Sequence, residues 1–197
     1  MKFEIYFAGV GGLGGLTTSA IVARAANYEG HFVRGLQLHG LAQRSGSTIS
    51  TVRFGSKKEV ISPTIRHGEA DLIIALEPLE ALNVLNFSSK RKTNFIVNTY
   101  KIIPIYSYIE GIEYPPIDKI LDIVKKYSKN VYKIDAYKIS REKFGNIIYG
   151  NLMMLGLAVG KGIIPLKKES LIKAIKETVK YNIEKNIAAF NLGLEMD

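Results

Sequence analysis

A glycine-rich segment near the amino terminus has the residue types and spacing of a phosphate-binding turn. Gly9, Gly11 and Gly14 follow the apolar run FEIYFA and precede a helical pattern, which gives the G-x-G-x-x-G spacing between a strand and a helix. Glycines there permit a tight turn and let main-chain N–H groups approach a pyrophosphate at the helix amino terminus. The alternative is that they serve only the sharp turn and the close packing of the helix on the sheet.

A second segment, LHGLAQRSGS at 38–47, is rich in hydrogen-bond donors. Arg44 can pair with a carboxylate or phosphate through two N–H groups, Gln43 can bind an amide, and Gly46 lets main-chain N–H groups point at an anion. The segment follows the second predicted strand, where an α/β sheet presents its ligand crevice, although a solvated surface loop would have the same composition. From both segments, the candidate ligand-binding residues are Gly9, Gly11, Gly12, Gly14, His39, Gly40, Gln43, Arg44, Ser45, Gly46 and Ser47.

The second predicted strand lacks the acidic residue of a standard nicotinamide or flavin dinucleotide site. Such a site has Asp or Glu about 20 residues beyond the glycine turn, where it binds the ribose hydroxyls. Here FVRGLQLHG offers Arg34, Gln37 and His39 and no carboxylate. Arg34 could meet a 2′-phosphate, but the missing acid argues against an NAD site.

No other segment has a strong catalytic or metal-binding pattern. His31, His39 and His67 are not spaced as metal ligands, and no G-x-S-x-G nucleophile elbow is present. Glu77 and Glu80 follow a predicted strand, where we expect ordinary carboxylates at the start of a helix. The chain has no cysteine, so it supplies no thiolate to an iron–sulfur cluster. We therefore assign no catalytic and no metal-binding residue.

The formal net charge of +9 is unevenly distributed over the 197 residues. The first 87 residues carry 8 basic and 7 acidic side chains, and the remainder carries 19 and 11. Most of the excess is lysine on amphipathic helical patterns, which indicates a solvated face, and SSKRKT is the only dense basic run. An anionic ligand or an acidic partner subunit would also account for the charge. With no signal-peptide pattern and no long apolar span, we expect a cytoplasmic protein that binds neither nucleic acid nor membrane.

Strand and helix patterns alternate through the first two thirds of the chain and predict a three-layer, Rossmann-like α/β fold with a mainly parallel sheet. The first strand, helix and second strand have the order that normally gives parallel pairing through a right-handed crossover. The third strand, STISTVRFG, alternates in part and is expected to have one exposed face. The predicted strands are 2–9, 31–38, 47–55, 70–77, 94–100 and 131–136, and the predicted helices of this region are 16–30, 78–85 and one that begins near Pro116.

The remaining segments are expected to be irregular or helical. Residues 101–116 contain Pro104, Pro115 and Pro116 and are predicted to form irregular or edge structure. From Ser140 onward the patterns predict a helical carboxyl terminus without strands. There, a glycine-containing apolar helix is expected to press closely against a neighbour, and residues 168–193 form one or two amphipathic helices.

Three segments, in their order and spacing, resemble the gamma subunit or gamma domain of 2-oxoacid:ferredoxin oxidoreductases. They are GVGGLGG at 9–15, HGLAQRSGSTIS at 39–50 and GEADLIIALEPLEAL at 68–82. Two C-terminal segments, 150–160 and 182–193, match the same family, so the resemblance covers nearly the whole chain. Its nearest branch is the beta subunit of indolepyruvate ferredoxin oxidoreductase, and residues 1–197 are expected to form one gamma-type domain.

The resemblance implies a subunit of an enzyme that converts a 2-oxoacid and coenzyme A to an acyl-CoA and carbon dioxide while two electrons pass to ferredoxin. It also implies that thiamine diphosphate and 4Fe–4S clusters lie on larger partner subunits, and that this chain is inactive alone. A phosphate of coenzyme A is then the best candidate ligand of the glycine turn, with no ligand as the alternative. The chain departs from the family pattern at Leu13, where Gln is usual, and at Ser45, where Gly is usual. A stand-alone nucleotide-binding enzyme with an atypical Rossmann site is the alternative function.

Overall fold

One mixed sheet organises the described part of the chain. The computed structural model describes residues 1–39, 46–103 and 109–196, and of His39 only the main chain. The six strands of the sheet are β1 (Phe3–Val10), β2 (Phe32–His39), β3 (Ser47–Gly55), β4 (Leu72–Ala75), β5 (Asn94–Asn98) and β6 (Asn130–Ile134). The principal helices are α1 (Gly15–Tyr28), α2 (Pro78–Asn83), α3 (Ile117–Lys126), α4 (Ala136–Phe144), α5 (Gly150–Gly160), α6 (Lys168–Thr178) and α7 (Ile183–Leu194).

The strand order is β2-β3-β1-β4-β5-β6, and all strands except β3 run in one direction. The predicted mainly parallel sheet is therefore confirmed. The predicted direct pairing of the first two strands is wrong, because β3 lies between β1 and β2 and pairs antiparallel with both. Residues 40–46 are the whole connection between β2 and β3, and so short a link favours adjacent antiparallel strands. The register joins β1 to β3 over its full length, from Phe3 opposite Phe54 to Val10 opposite Ser47.

The expectation that β3 has one exposed face is also wrong. Every residue from Ser50 to Gly55 is buried, because β3 has a strand on either side and both of its faces are covered. Its polar side chains find partners there: Thr51 Oγ1 donates a hydrogen bond to Pro63 O at 3.0 Å. The partial alternation of polar residues in STISTVRFG thus marks buried hydrogen bonds and not a solvated surface.

Alternate strand residues point to two apolar layers, as the pleat of a strand requires. Ile5 and Phe7 pack with α1 and α5 to α7, whereas Tyr6 and Ala8 pack with α2 and α3. The predicted three-layer organisation is therefore confirmed. The carboxyl ends of β1, β4, β5 and β6 meet at one edge of this sheet, which we call the carboxyl edge; the opposite one is the amino edge.

The described residues from Ser140 to Met196 form helices joined by turns and contain no strand, as predicted. Residues 168–194 form two helices, α6 and α7. A Cβ atom at Gly156 would overlap the carbonyl oxygen of Phe190, and one at Gly193 would overlap that of Met153. Helices α5 and α7 therefore touch main chain to main chain, which confirms the expected tight packing and fixes α5 beside the first turn of α1.

Segment 101–116 contains no strand in its described parts, 101–103 and 109–116. This agrees with the predicted irregular structure for those residues. In the parts of the chain that the structure covers, no helix has the length and apolar character needed to cross a bilayer.

Candidate functional site

The glycine turn connects β1 to α1 at the carboxyl edge. Gly12 and Gly14 have φ angles of +90° and +83°, in the left-handed region that favours glycine. A Cβ at Gly9 or Gly15 would lie 3.0 to 3.1 Å from the side chain of Leu76, which follows β4. The glycines thus provide both the sharp turn and the close packing against the sheet, and these structural roles alone do not require a ligand.

A pocket of about 330 Å³ opens beside this turn, and we call it the glycine pocket. Its described wall carries no charged side chain and consists of Val10, Gly11, Gly12, Leu13, Gly14, Gly15, Leu16, Thr17 and Thr48. The first main-chain hydrogen bond of α1 joins Thr18 N to Gly14 O at 3.2 Å, and Gly14 supplies no side-chain cap. The N–H groups of Gly15 to Thr17 come before that bond and take no part in the hydrogen-bond series of the helix. Such N–H groups at a helix amino terminus favour an anion.

The donor-rich segment ends next to the glycine turn and begins one strand further away, in β2. Gly11 N donates a hydrogen bond to Gly46 O at 2.8 Å, and Thr48 Oγ1 donates to Gly9 O at 3.1 Å. Ser47 Oγ, one residue after Gly46, donates to Glu80 Oε2 at 2.5 Å. The structure thus brings Gly9, Gly11, Gly12 and Gly14 together with Gly46, Ser47 and the main chain of His39. Gly40, Gln43, Arg44 and Ser45 lie outside the described residues, and their role stays a prediction.

Asn151 supports the turn and was not found by sequence reasoning. Its side chain is buried at the start of α5, where Nδ2 donates to Leu13 O and Oδ1 accepts from Tyr137 Oη at 2.9 Å. Burial raises the pKa of Tyr137, which keeps the hydroxyl protonated as a donor. One signal was available in the sequence, a single amide in the apolar stretch GNLMMLGLAVG. Its partner at Leu13 lies 138 residues away along the chain, beyond any local pattern.

A second cavity of about 420 Å³ lies on the other side of the turn, between α1 and the carboxyl-terminal helices. We call it the helix cavity. Gly12, Gly14 and Thr17 line both spaces, so the turn is a thin wall between them. The rest of the helix cavity is lined by Thr18, Ile148, Asn151, Leu152, Thr178, Val179, Lys180, Tyr181 and Asn186.

Glu77 behaves as the predicted helix-start carboxylate. It is 1% exposed and caps α2, where Oε2 accepts from Leu79 N at 2.7 Å and from Glu80 N at 3.3 Å. Oε1 accepts from the Tyr114 hydroxyl and from Ile102 N. Burial raises the pKa of Glu77, and these hydrogen bonds act in the opposite direction. The carboxylate is fully used in holding the main chain and does not line the glycine pocket.

Arg34 is not at the end of its strand. It is the third residue of β2, and its guanidinium lies 5.0 Å from the centre of the Phe32 ring. His67 Nε2 lies 3.2 Å from Asn86 Nδ2, within an ordinary side-chain contact. Within residues 1–39, 46–103 and 109–196, no three His, Asp or Glu side chains are grouped so that they could hold a metal ion.

Comparison with known proteins agrees with this arrangement. Residues 4–196 match the family model for pyruvate ferredoxin/flavodoxin oxidoreductase. Indolepyruvate oxidoreductase subunit IorB of Archaeoglobus fulgidus is 40% identical over 194 residues, which cover 98% of this chain and 94% of that protein.

Two solved structures share the fold. Pyruvate oxidoreductase subunit PORC of Thermotoga maritima superposes with a TM-score of 0.70 at 22% identity, over 98% of this chain and 96% of that one. The 2-oxoglutarate:ferredoxin oxidoreductase of Magnetococcus marinus, solved with 2-oxoglutarate, coenzyme A and succinyl-CoA, matches with a TM-score of 0.65 at 15% identity. That match covers 98% of this chain and 30% of the larger one. The chain therefore belongs to the pyruvate ferredoxin/flavodoxin oxidoreductase family, as a subunit of the 2-oxoacid:ferredoxin oxidoreductase type.

Proposed function

We propose that this chain is the non-catalytic subunit of an indolepyruvate-type 2-oxoacid:ferredoxin oxidoreductase. The complex would convert an aryl pyruvate and coenzyme A to the acyl-CoA and carbon dioxide, with two electrons passing to ferredoxin. The 40% identity to an indolepyruvate oxidoreductase subunit over almost the full length of both chains supports the substrate class.

Thiamine diphosphate and the 4Fe–4S clusters would be held by a larger partner subunit. The composition of this chain fits such a division of labour, because it contains no cysteine for a cluster. The contribution of this chain would be to complete the crevice in which the acyl group is transferred to coenzyme A.

The glycine turn and the donor-rich segment would bind phosphate groups of coenzyme A. The observation that carries this assignment is the 2.8 Å main-chain hydrogen bond from Gly11 to Gly46, which joins the glycine turn to the end of the donor-rich segment. The described lining of that pocket offers main-chain N–H groups at a helix amino terminus and no carboxylate, which suits a phosphate. Since Leu13 supplies no side-chain donor, the turn would act through its main chain.

Co-expression with candidate partner subunits tests the assignment to a complex. We expect the chain to co-purify with a large, cluster-bearing subunit and the complex to reduce ferredoxin with indolepyruvate and coenzyme A. Pyruvate as the alternative substrate tests the proposed class. If the chain remains alone beside every partner that carries thiamine and cluster motifs, the proposed role in a complex fails.

Replacement of Arg44 by Ala tests the donor-rich segment. In the reconstituted complex we expect Arg44→Ala to raise the KM for coenzyme A or the oxoacid, because a bidentate partner for phosphate or carboxylate is lost. Arg34→Ala is the matched control: it removes the same side chain from a nearby exposed strand position and should leave both KM values unchanged. Unchanged kinetics for Arg44→Ala would remove this segment from the site.

Calorimetric titration of the isolated chain with NAD, NADP and coenzyme A separates this function from a stand-alone nucleotide enzyme. Tight binding of NAD or NADP by the lone chain would favour the enzyme alternative. The absence of a carboxylate at positions 34–38 of β2 leads us to expect no such binding.

A further inference from the structure

We propose that Asn151 is a positioning residue that sets the direction of the main-chain N–H groups in the glycine turn. This inference rests on the proposed function, in which those N–H groups meet phosphates of coenzyme A. Asn151 is absent from the described wall of the glycine pocket: it lines the helix cavity behind the turn, and the residue is 2% exposed.

The geometry of the peptide group explains how one side chain can act on a main-chain donor. Asn151 Nδ2 donates to the carbonyl oxygen of Leu13, which draws that carbonyl toward α5. In a planar trans peptide the following N–H points the opposite way. The N–H of Gly14 is thereby turned away from α5, to the side of the turn that lines the glycine pocket.

Both ends of the Asn151 amide are held. The Leu13 carbonyl can only accept, so it selects the amide nitrogen, and the Tyr137 hydroxyl donates to Oδ1 at the other end at 2.9 Å. Tyr137 is fully buried on α4, and its ring cannot leave without opening the core. The amide is therefore held between the turn on one side and α4 on the other.

A second buried amide, that of Asn98, ties α4 to the opposite side of the glycine turn. Asn98, at the end of β5, accepts from Ala136 N at 3.1 Å and donates from Nδ2 to Leu76 O at 3.0 Å. Leu76 is the side chain packed against Gly15. Two buried amides thus hold the turn from both sides, and every one of these bonds is internal to the protein.

The middle of the turn depends on Asn151 more than its ends do. Thr48 holds the carbonyl of Gly9 at the start of the turn, and Thr18 holds that of Gly14 at its end. Among the described residues, the side-chain hydrogen bond to the Leu13 carbonyl between them comes from Asn151. The Leu13 side chain is partly buried against the core and gives the turn no polar anchor.

Asn151→Asp in the assembled complex tests the role with little change of shape. The carboxylate can still accept from Tyr137 but cannot donate to the Leu13 carbonyl. We expect the KM for coenzyme A to rise about tenfold, equivalent to roughly 1.4 kcal/mol, with kcat largely retained. Tyr137→Phe should give a smaller rise, about threefold, because the amide loses the bond that holds its oxygen but keeps its donation to Leu13.

Asn186→Asp is the matched control. Asn186 lines the far wall of the same helix cavity, is 8% exposed, and donates to the carbonyl oxygens of Tyr181 and Asn182. The substitution removes equivalent donors without touching the turn, so the KM for coenzyme A should stay unchanged. Hydrogen exchange of amides 11–17, measured without coenzyme A, should become faster in Asn151→Asp and not in Asn186→Asp.

The two readouts separate failure of this inference from failure of the proposed function. Faster exchange together with a raised KM supports both, whereas faster exchange with an unchanged KM leaves Asn151 as the positioning residue and removes coenzyme A from the turn. Unchanged exchange and KM in Asn151→Asp overturn the inference, and so does an equal rise of KM in Asn186→Asp. If Asn151→Asp does not fold, the same measurements on Tyr137→Phe decide in the same way.

Discussion

The two edges of the sheet use polar groups in opposite ways. At the amino edge, Arg53 Nε donates to Glu4 Oε1 at 2.7 Å, and both side chains are buried. Lys92 lies 3.1 Å from Asp71, whose carboxylate also accepts from the main chain of Glu4. At the carboxyl edge, the described wall of the glycine pocket has main-chain groups and no charged side chain. Charge holds strands together at one edge, and oriented peptide groups face a pocket at the other.

This difference changes how the net charge of +9 is understood. The basic run at 88–93 precedes β5 at the amino edge, where Lys92 also approaches Glu69 at 3.5 Å. Lys92 of this run is thus paired with carboxylates at the amino edge, away from the glycine turn. The attraction of the glycine pocket for an anion would come from helix and peptide dipoles.

The largest effect on stability is expected when the buried ion pair at the amino edge loses its carboxylate. Glu4→Ala leaves the Arg53 guanidinium buried without its carboxylate, which should lower the free energy of unfolding by about 3–5 kcal/mol. Chemical denaturation measures it. Glu59→Ala, which breaks an exposed pair with the amino terminus and exposed hydrogen bonds from Ser56, should have a much smaller effect on stability. A small loss for Glu4→Ala would mean that the amino edge is not held by charge.

An intermediate effect on stability is expected when a glycine of the turn is replaced by alanine. Gly14→Ala places a side chain at φ +83° and 3.1 Å from Asn151 Nδ2, and should cost roughly 1–2 kcal/mol of stability. Its effect on the KM for coenzyme A in the complex should exceed that of Glu4→Ala measured on folded protein. Gly12→Ala is the matched comparison. Gly12 also has a positive φ, but a Cβ there would have no neighbouring atom within 4 Å. If Glu4→Ala shifts the KM for coenzyme A more than Gly14→Ala does, the assignment of stability to the amino edge and of ligand binding to the carboxyl edge is wrong.

The smallest effect concerns pH and compares one buried carboxyl at each edge. Burial raises the pKa of Glu77 above its ordinary value of 4.5, and burial also raises that of Asp71. The folded state therefore binds these protons more tightly than the unfolded state does. The free energy of unfolding falls as the pH rises from the ordinary pKa of each carboxyl through its higher pKa in the folded state. Glu77→Gln should flatten this slope by less than about 1.4 kcal/mol per pH unit, and Asp71→Asn should do the same. Denaturation at a series of pH values compares the contributions of Glu77 and Asp71 to the pH dependence of stability. A fall of stability with pH that becomes steeper after either substitution contradicts the expected sign.

Local features of the fold could be predicted from the sequence. The turn between β1 and α1, the span of β3 and the start of α3 after Pro116 follow from glycine and proline chemistry and from periodicity over a few residues. The Glu77 cap was also predictable, since an acid directly before Pro78 is typical of a helix start.

Features that depend on distant residues could not be predicted. The insertion of β3 between β1 and β2 is decided by pairing across the sheet, which competes with the parallel alternative for the same strand edge. The burial of Arg53 follows from that insertion, since Glu4 reaches it across the β1–β3 pair. Asn151 meets the turn only because the contact between α5 and α7 sets the position of its helix.

The hydrogen bond between Gly11 and Gly46 has a consequence for how the glycine turn responds to mutation. Both atoms of the bond belong to the main chain, so an ordinary side-chain replacement at either position leaves the N–H and the carbonyl in place. Only proline at position 11 would remove the donor. The join between the glycine turn and the start of β3 therefore does not depend on which side chains stand at positions 11 and 46.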